Sequence, residues 1–261
     1  MAETRFDGRV AAITGGGGGM GRAFALDLAA RGAKVAVCGR RPEPIEETVA
    51  MIAEAGGEAL AVPCDVRDPA QVDAFFDACT DTFGAADLLV NNAAGNFICP
   101  AIDLSPNGWN AVINIVLNGS FYCSRAFALR YREAGRERGA MVSVIATYAW
   151  TGNAGTAHSA AAKAGVQNLM MTLAVELAPL GIRCNSIAPG PILTPGATEN
   201  LFPTQEIQDA ISARIPARRL GTLDDVVAAT RFLLSDDSSY VTGSTITLDG
   251  GGWLPQGMFA T

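Results

Sequence analysis

Lysine is almost missing from this chain. Lys34 and Lys163 are the only two among 19 basic residues, so a lysine in a predicted pocket stands out from ordinary surface charge. Histidine occurs once, as His158, and the six cysteines form neither a CxxC pair nor a cluster with it. That excludes the usual zinc ligand sets and gives a disulfide framework little support. Cys38, Cys64 and Cys184 fall in apolar, strand-like runs, where a thiol behaves as a small hydrophobe. Excess positive charge is lacking too: the net charge of −7 excludes a broad phosphate-binding surface, and nucleic acid is not an expected partner. A few arginines can still build a local anion site. No apolar run reads as long enough to span a bilayer, and the opening MAETRFDGRV has no apolar leader, so we expect a cytoplasmic protein without a membrane partner.

What is present is a large apolar fraction, 49%, and 29 glycines that gather at predicted turns. Short apolar runs at Val10–Thr14, Lys34–Cys38, Ala59–Pro63, Leu88–Asn91, Met141–Ile145, Arg183–Ala188 and Thr245–Leu248 read as strands. Between them, helical patterns cover Met20–Arg31, Pro44–Ala55, Ala70–Phe83, Pro106–Arg132, Ser159–Ala178 and Leu223–Leu234. The alternation predicts an α/β fold: a Rossmann-like, doubly wound parallel sheet of about seven strands with helices on both faces. No linker divides the chain, so residues 1–261 are read as one dinucleotide-binding catalytic domain. A Pro-, Thr- and Gly-rich excursion at about 189–219, around a short helix at Glu206–Ala213, follows a strand's carboxyl end and is expected to form a substrate lid.

The first strand runs into Thr14-Gly15-Gly16-Gly17-Gly18-Gly19-Met20-Gly21 and then a helix. Gly15, Gly17, Gly18, Gly19, Met20 and Gly21 are therefore expected to bring backbone close to a pyrophosphate, beside the free N–H groups of a helix start. The second strand ends in Gly39-Arg40-Arg41, where an NAD enzyme usually places a carboxylate for the ribose 2′-hydroxyl. Arg40 and Arg41 suit a 2′-phosphate instead, and NADPH is the expected cofactor.

These segments, together with Cys64-Asp65-Val66, Asn91-Asn92-Ala93-Ala94-Gly95 and Pro189-Gly190-Pro191-Ile192, resemble the ordered motifs of the short-chain dehydrogenases/reductases across almost the whole chain. The resemblance implies that Asp65 and Val66 flank the adenine and that Asn91 steadies the central strand. It also implies that Asn92, Ala93 and Ala94 line the cofactor, and that Pro189, Gly190 and Ile192 lie along the nicotinamide.

The catalytic pattern departs from the common members of that family, which use Ser, Tyr and Lys. Lys163 matches the lysine, but Ser159 stands at the tyrosine position, Ala146 at the serine position and Val116 at the helix asparagine. A serine hydroxyl is a poor general acid near neutral pH compared with a phenol beside an ammonium, so ordinary carbonyl reduction loses its proton donor. A displaced tyrosine, Tyr148, the segment Asn91–Phe97 containing Asn96, and Ile115-Val116-Leu117-Asn118-Gly119 are similar to those of 2,4-dienoyl-CoA reductases. That likeness implies that Tyr148 and Asn96 hold the thioester carbonyl, while Lys163 and Ser159 hold the cofactor and complete the site. The chemistry fits: hydride reaches the distal carbon, charge moves to the thioester oxygen, and two donors stabilise it.

Plainer roles stay open for several of these residues. Tyr148 also reads as a loop tyrosine, Asn96 as a turn cap, and Ser159 as pocket lining. His158 reads as structural, since nothing pairs it with a nucleophile. Two other functions compete with dienoyl-CoA reduction: an atypical short-chain reductase acting on another carbonyl, imine or enone, and an inactive NADP(H)-binding protein. An acyl-CoA would need local arginines, for which Arg214, Arg218 and Arg219 are candidates, while basic Arg125–Arg138 reads as a solvated or subunit face. The family resemblance implies a homotetramer, with the apolar tail Gly252–Phe259 a candidate for packing on a neighbour.

Overall fold

Every residue of β1 (Val10–Thr14) is buried, as a run such as VAAIT requires when helices cover both faces of a sheet. Val10 and Ala12 face one apolar cluster, Ala11 and Ile13 the other, which is the two-residue alternation of a strand. In the computed structural model, which describes residues 4–196 and 202–255, β1 is the hinge of the topology. On one side lie β2 (Lys34–Gly39) and then β3 (Ala59–Pro63); on the other lie β4 (Leu88–Asn91), β5 (Gly139–Val144), β6 (Ile182–Pro189) and β7 (Thr245–Leu248). All pairings are parallel, giving a seven-stranded sheet in the order β3-β2-β1-β4-β5-β6-β7. The direction of winding reverses between β1 and β4, which opens a crevice at the carboxyl ends of those strands.

Helices α1 (Gly19–Ala30), α2 (Pro42–Glu54) and α9 (Leu223–Leu234) cover one face. The other face is covered by α3 (Pro69–Phe83), α4 (Pro106–Ile113), α5 (Gly119–Glu133) and α7 (Ala157–Leu177). Local chemistry sets several starts. Pro42 and Pro69 occupy first turns, where a missing N–H costs nothing. The Asp68 carboxylate accepts from the N–H of Ala70, and Thr222 with Asp225 forms a reciprocal capping box for α9.

The expected single helix Pro106–Arg132 is interrupted. Residues Asn114–Asn118 form a π-helical turn between α4 and α5, a one-residue widening that leaves the apolar period almost unchanged and so escapes a pattern reading. The insertion carries Ile115 to the edge of the crevice. This run also corrects the membrane reading. Pro106–Glu133 is long and apolar enough to span a bilayer, but half of its most apolar window is buried inside the protein, as in a core helix. A one-turn helix, α6 (Tyr148–Thr151), replaces the expected loop after β5. The short lid helix appears as α8 (Gln205–Ser212), and part of the lid segment, residues 197–201, lies outside the described residues.

Candidate active site

The crevice between β1 and β4 is floored by glycine. Gly15 sits at φ +66, and a Cβ there would lie 3.0 Å from Ala93 Cα. A Cβ on Gly21 would overlap the Gly15 carbonyl oxygen and stand 2.6 Å from Asn92 Nδ2. The loop is pinned from β4: Thr14 Oγ1 accepts from the N–H of Asn92 at 3.0 Å and of Ala93 at 2.9 Å. Asn92 Nδ2 donates to the Thr14 carbonyl at 3.0 Å and to that of Gly15 at 3.2 Å. Arg22 holds the far side, donating to the Gly17 carbonyl at 2.8 Å and the Pro44 carbonyl at 3.2 Å. Sequence reasoning missed these clamps. Arg22 reads there as one more helix arginine, and only its placement one residue after Gly21 was a signal.

Gly18 is the N-cap of α1 and no side chain caps the first turn, which leaves its N–H groups for a ligand or solvent. A cavity of about 560 Å³ lies there, lined by Gly17, Gly18, Arg40, Arg41 and Pro44. A second, of about 220 Å³, continues past Asp65, Val66, Ala93 and Ala94 to Ile115. The two share Gly15, Gly39 and Arg40 in their linings and form one trough along the crevice. Gly19 and Met20 are the first two residues of α1. Arg40 and Arg41 are exposed at the trough's mouth, and among the described residues neither is in an ion pair. The Asp65 carboxylate is clamped by Arg67, whose Nε lies 2.9 Å from both oxygens. That guanidinium, with the more distant charge of Arg40, holds the Asp65 carboxyl below its usual pKa. Asn91 instead ties β4 to α5 and β5, donating to Ser124 Oγ at 2.9 Å and Ser143 Oγ at 3.3 Å.

Farther along the crevice the displaced residues meet. Tyr148 Oη and Ser159 Oγ are 3.1 Å apart, a hydrogen bond between α6 and the first turn of α7. Lys163 follows Ser159 by one helical turn and is buried, donating through Nζ to the Val144 carbonyl at 2.6 Å. Burial lowers its pKa to about 8. Ala146, at the position of the usual serine, is buried and offers no hydroxyl. Asn96 stays apart from this trio: it is exposed in the loop after β4, and among the described residues its side chain makes no hydrogen bond. Pro189 ends β6, and Gly190 passes so close to Asp249 that a Cβ would lie 2.6 Å from that residue's Cβ. Ile192 then pairs with Gly221, which holds the segment at the base of the lid.

Partners within the fold bear on three further expectations. Arg219 is engaged by Asp225 through bonds of 2.6 and 2.9 Å, and Arg218 donates to the Ala213 carbonyl at 2.6 Å, so neither presents an uncommitted guanidinium to an acyl-CoA. In the basic Arg125–Arg138 stretch, Arg125, Arg132 and Arg138 are exposed, the last pairing with Asp236, while Arg130 binds Asp73 and Asp77 and Arg136 lies 3.7 Å from Asp87. In the tail, Trp253 packs within its own chain, edge-on against Trp150 of α6 at 5.6 Å, while Gln256–Phe259 lies outside the described residues.

Comparison with known proteins agrees with this fold. A family model described as enoyl-(acyl carrier protein) reductase matches residues 15–252. A solved short-chain dehydrogenase from Bacillus anthracis is 43% identical, with a TM-score of 0.87 over 96% of this chain and 98% of that one. The chain belongs to the short-chain dehydrogenase/reductase family, a family of oxidoreductases using nicotinamide cofactors. Among its relatives, a "probable 2,4-dienoyl-CoA reductase ((2E)-enoyl-CoA-producing)" of Bacillus subtilis is 47% identical, covering 93% of this chain and 95% of its own. A dehydrogenase structure from Agrobacterium tumefaciens with bound NADP is 37% identical, with a TM-score of 0.87 over 96% and 98% of the two chains.

Proposed function

We propose that the protein is an NADPH-dependent 2,4-dienoyl-CoA reductase. The observation that carries the reading is the Tyr148–Ser159 hydroxyl pair, 3.1 Å apart and one helical turn before Lys163, in a family whose usual tyrosine is here a serine. The name of the Bacillus subtilis relative supports the substrate class, and the exposed Arg40–Arg41 pair supports the 2′-phosphate.

The glycine trough, with Gly15, Gly17, Gly18 and Gly21, would hold the pyrophosphate, and Asp65 and Val66 the adenine. Asn92, Ala93, Ala94, Pro189, Gly190, Ile192 and Lys163 would complete the cofactor's bed. Once bound there, the reduced nicotinamide supplies a hydride to the distal carbon of the conjugated thioester. Negative charge then collects on the thioester oxygen, where Tyr148 and Asn96 donate hydrogen bonds. Ser159 donates to the Tyr148 hydroxyl oxygen, which leaves the phenolic proton for the thioester oxygen. The Lys163 ammonium adds positive potential nearby, and a solvent proton quenches a carbon, so no residue has to act as a strong acid.

The assembly we propose is a homotetramer in the cytoplasm. Phe121 on α5 and Met171 and Val175 on α7 leave apolar surface for a neighbour, and six free thiols suit a reducing compartment. NADPH oxidation measured with a 2,4-dienoyl-CoA and with an unconjugated ketone tests the reading. Turnover of the dienoyl-CoA alone is expected. Turnover of the ketone alone points to an atypical carbonyl reductase, and turnover of neither to a binding protein.

A further inference from the structure

Helix α7 begins without a conventional cap. Thr156, its N-cap residue, makes no side-chain bond to the first turn, because its hydroxyl donates to the Asn153 carbonyl at 2.9 Å. The N–H of Ser159 is satisfied from the side instead, donating to Nδ1 of His158 at 2.8 Å. An accepting ring nitrogen carries no proton, so the neutral imidazole bears its proton on Nε2. Among the described residues that nitrogen is buried with no hydrogen-bond partner, in a residue that is 0% exposed. A buried donor left unpaired is a standing cost, and an ordinary apolar side chain would avoid it.

The ring's second contact gives the cost a purpose. It meets Phe97 edge-on, with centroids 4.5 Å apart and planes at 88°. Phe97 follows Asn96 in the irregular loop between β4 and α4, which nothing in β4 itself would hold in place. The same loop is tied again just before α7, where the N–H of Cys99 donates to the Gly155 carbonyl at 2.9 Å. Ile98 packs there so closely that a Cβ on Gly155 would lie 2.9 Å from its methyl group. The start of α7 therefore touches both halves of the site: the hydroxyl pair through Ser159, and the Asn96 loop through Phe97.

We infer that His158 is a positioning residue for the reduction, holding Ser159 through Nδ1 and the Asn96–Phe97 loop through its ring. This rests on the reading of Tyr148 and Asn96 as the two donors and adds what keeps them in register. Asparagine could serve the N–H and phenylalanine could serve the stack. The imidazole does both from one position.

The test uses the full-length enzyme with a 2,4-dienoyl-CoA. His158→Phe keeps a ring and loses the acceptor; Phe97→Ala removes the stack from a residue already 43% exposed, where folding is little affected. Each is expected to lower kcat by about tenfold or more, since small misplacements of catalytic groups are costly, while NADPH affinity in fluorescence titration stays at the parent value. In an Asn96→Ala background the Phe97→Ala loss should largely disappear, because the donor it positions is gone. An undiminished loss in that background, or parent kcat in Phe97→Ala, overturns the positioning role even when Asn96→Ala is itself slow. Asn96→Ala at the parent rate sinks the underlying reading instead, and the positioning role with it. Independently, the single histidine gives one imidazole pattern in ¹⁵N NMR, expected to show a protonated Nε2 and an unprotonated Nδ1. The reverse tautomer overturns the inference.

Discussion

At the scale of single residues, the site turns on where charge develops. Tyr148 and Asn96 are proposed to meet an oxygen that becomes negative only during hydride transfer, so their loss should appear in kcat more than in substrate binding. Removing one such donor typically costs on the order of 10²–10³ in rate, which sets the expectation for Tyr148→Phe and Asn96→Ala. The double variant should lose less than the product of the single losses, since both donors serve one atom. Steady-state kinetics of folded, NADPH-binding variants checks this, and a parent-like Tyr148→Phe reduces the tyrosine to a loop residue. Lys163 offers a second residue-scale test. Burial lowers its pKa from 10.5 to about 8, so between those values the unfolded chain holds a proton that the folded chain has released. This group therefore adds stability as pH rises from about 8 toward 10.5, and adds none below that window. Denaturant midpoints of the cofactor-free parent should rise across the window relative to Lys163→Met. Parallel curves for the two proteins refute the assignment.

At the scale of elements, the strand–loop–helix unit β1–α1 is built around contact too close for a side chain. Gly21→Ala places a methyl group against the Gly15 carbonyl and 2.6 Å from Asn92 Nδ2, both backbone-anchored. Overpacking of this kind typically costs about 1–3 kcal/mol, and here it also spreads the pyrophosphate cradle. Gly21→Ala should lower the unfolding free energy by that amount and weaken NADPH binding at least about tenfold, read by denaturation and titration. A variant with parent stability and affinity shows that α1 can shift to make room. The π-helical turn and α6 are likewise elements with consequences: one sets Ile115 at the cofactor crevice, the other aims Tyr148 at Ser159. Neither has a sequence signature, because a one-residue bulge and a four-residue helix are both shorter than the stretch over which a helical period becomes visible.

At the scale of the whole molecule, cofactor choice should register as global stability. A ligand at about 100 times its Kd stabilises the folded state by about 2.7 kcal/mol, so the tighter nicotinamide gives the larger thermal shift at equal concentration. NADPH should shift the parent more than NADH, and Arg40→Ala should narrow the gap, since a charged hydrogen bond contributes about 1.5–3 kcal/mol. Equal shifts by both cofactors in the parent would remove the basis for assigning the 2′-phosphate to Arg40 and Arg41.

Alternating apolar runs and helical periods determined the seven strands and their parallel arrangement, because residues buried on both faces leave an uninterrupted apolar record. The glycine loop, Arg40–Arg41 and the absence of tyrosine at Ser159 were legible for the same kind of reason: each is a residue type that its backbone position or its chemistry restricts. Tertiary structure decided the rest. Arg218 and Arg219 looked available as charges along the chain, yet the Ala213 carbonyl and Asp225 engage them in the fold, and Arg130 meets Asp73 and Asp77 only once α3 and α5 pack. Tyr148 and Ser159 are eleven residues apart in sequence and share a hydrogen bond because α6 and α7 meet at the sheet's carboxyl edge. His158 paired with nothing in the linear pattern. Its two partners, the adjacent N–H of Ser159 and the distant ring of Phe97, converge on it only where a helix start closes against the loop from β4.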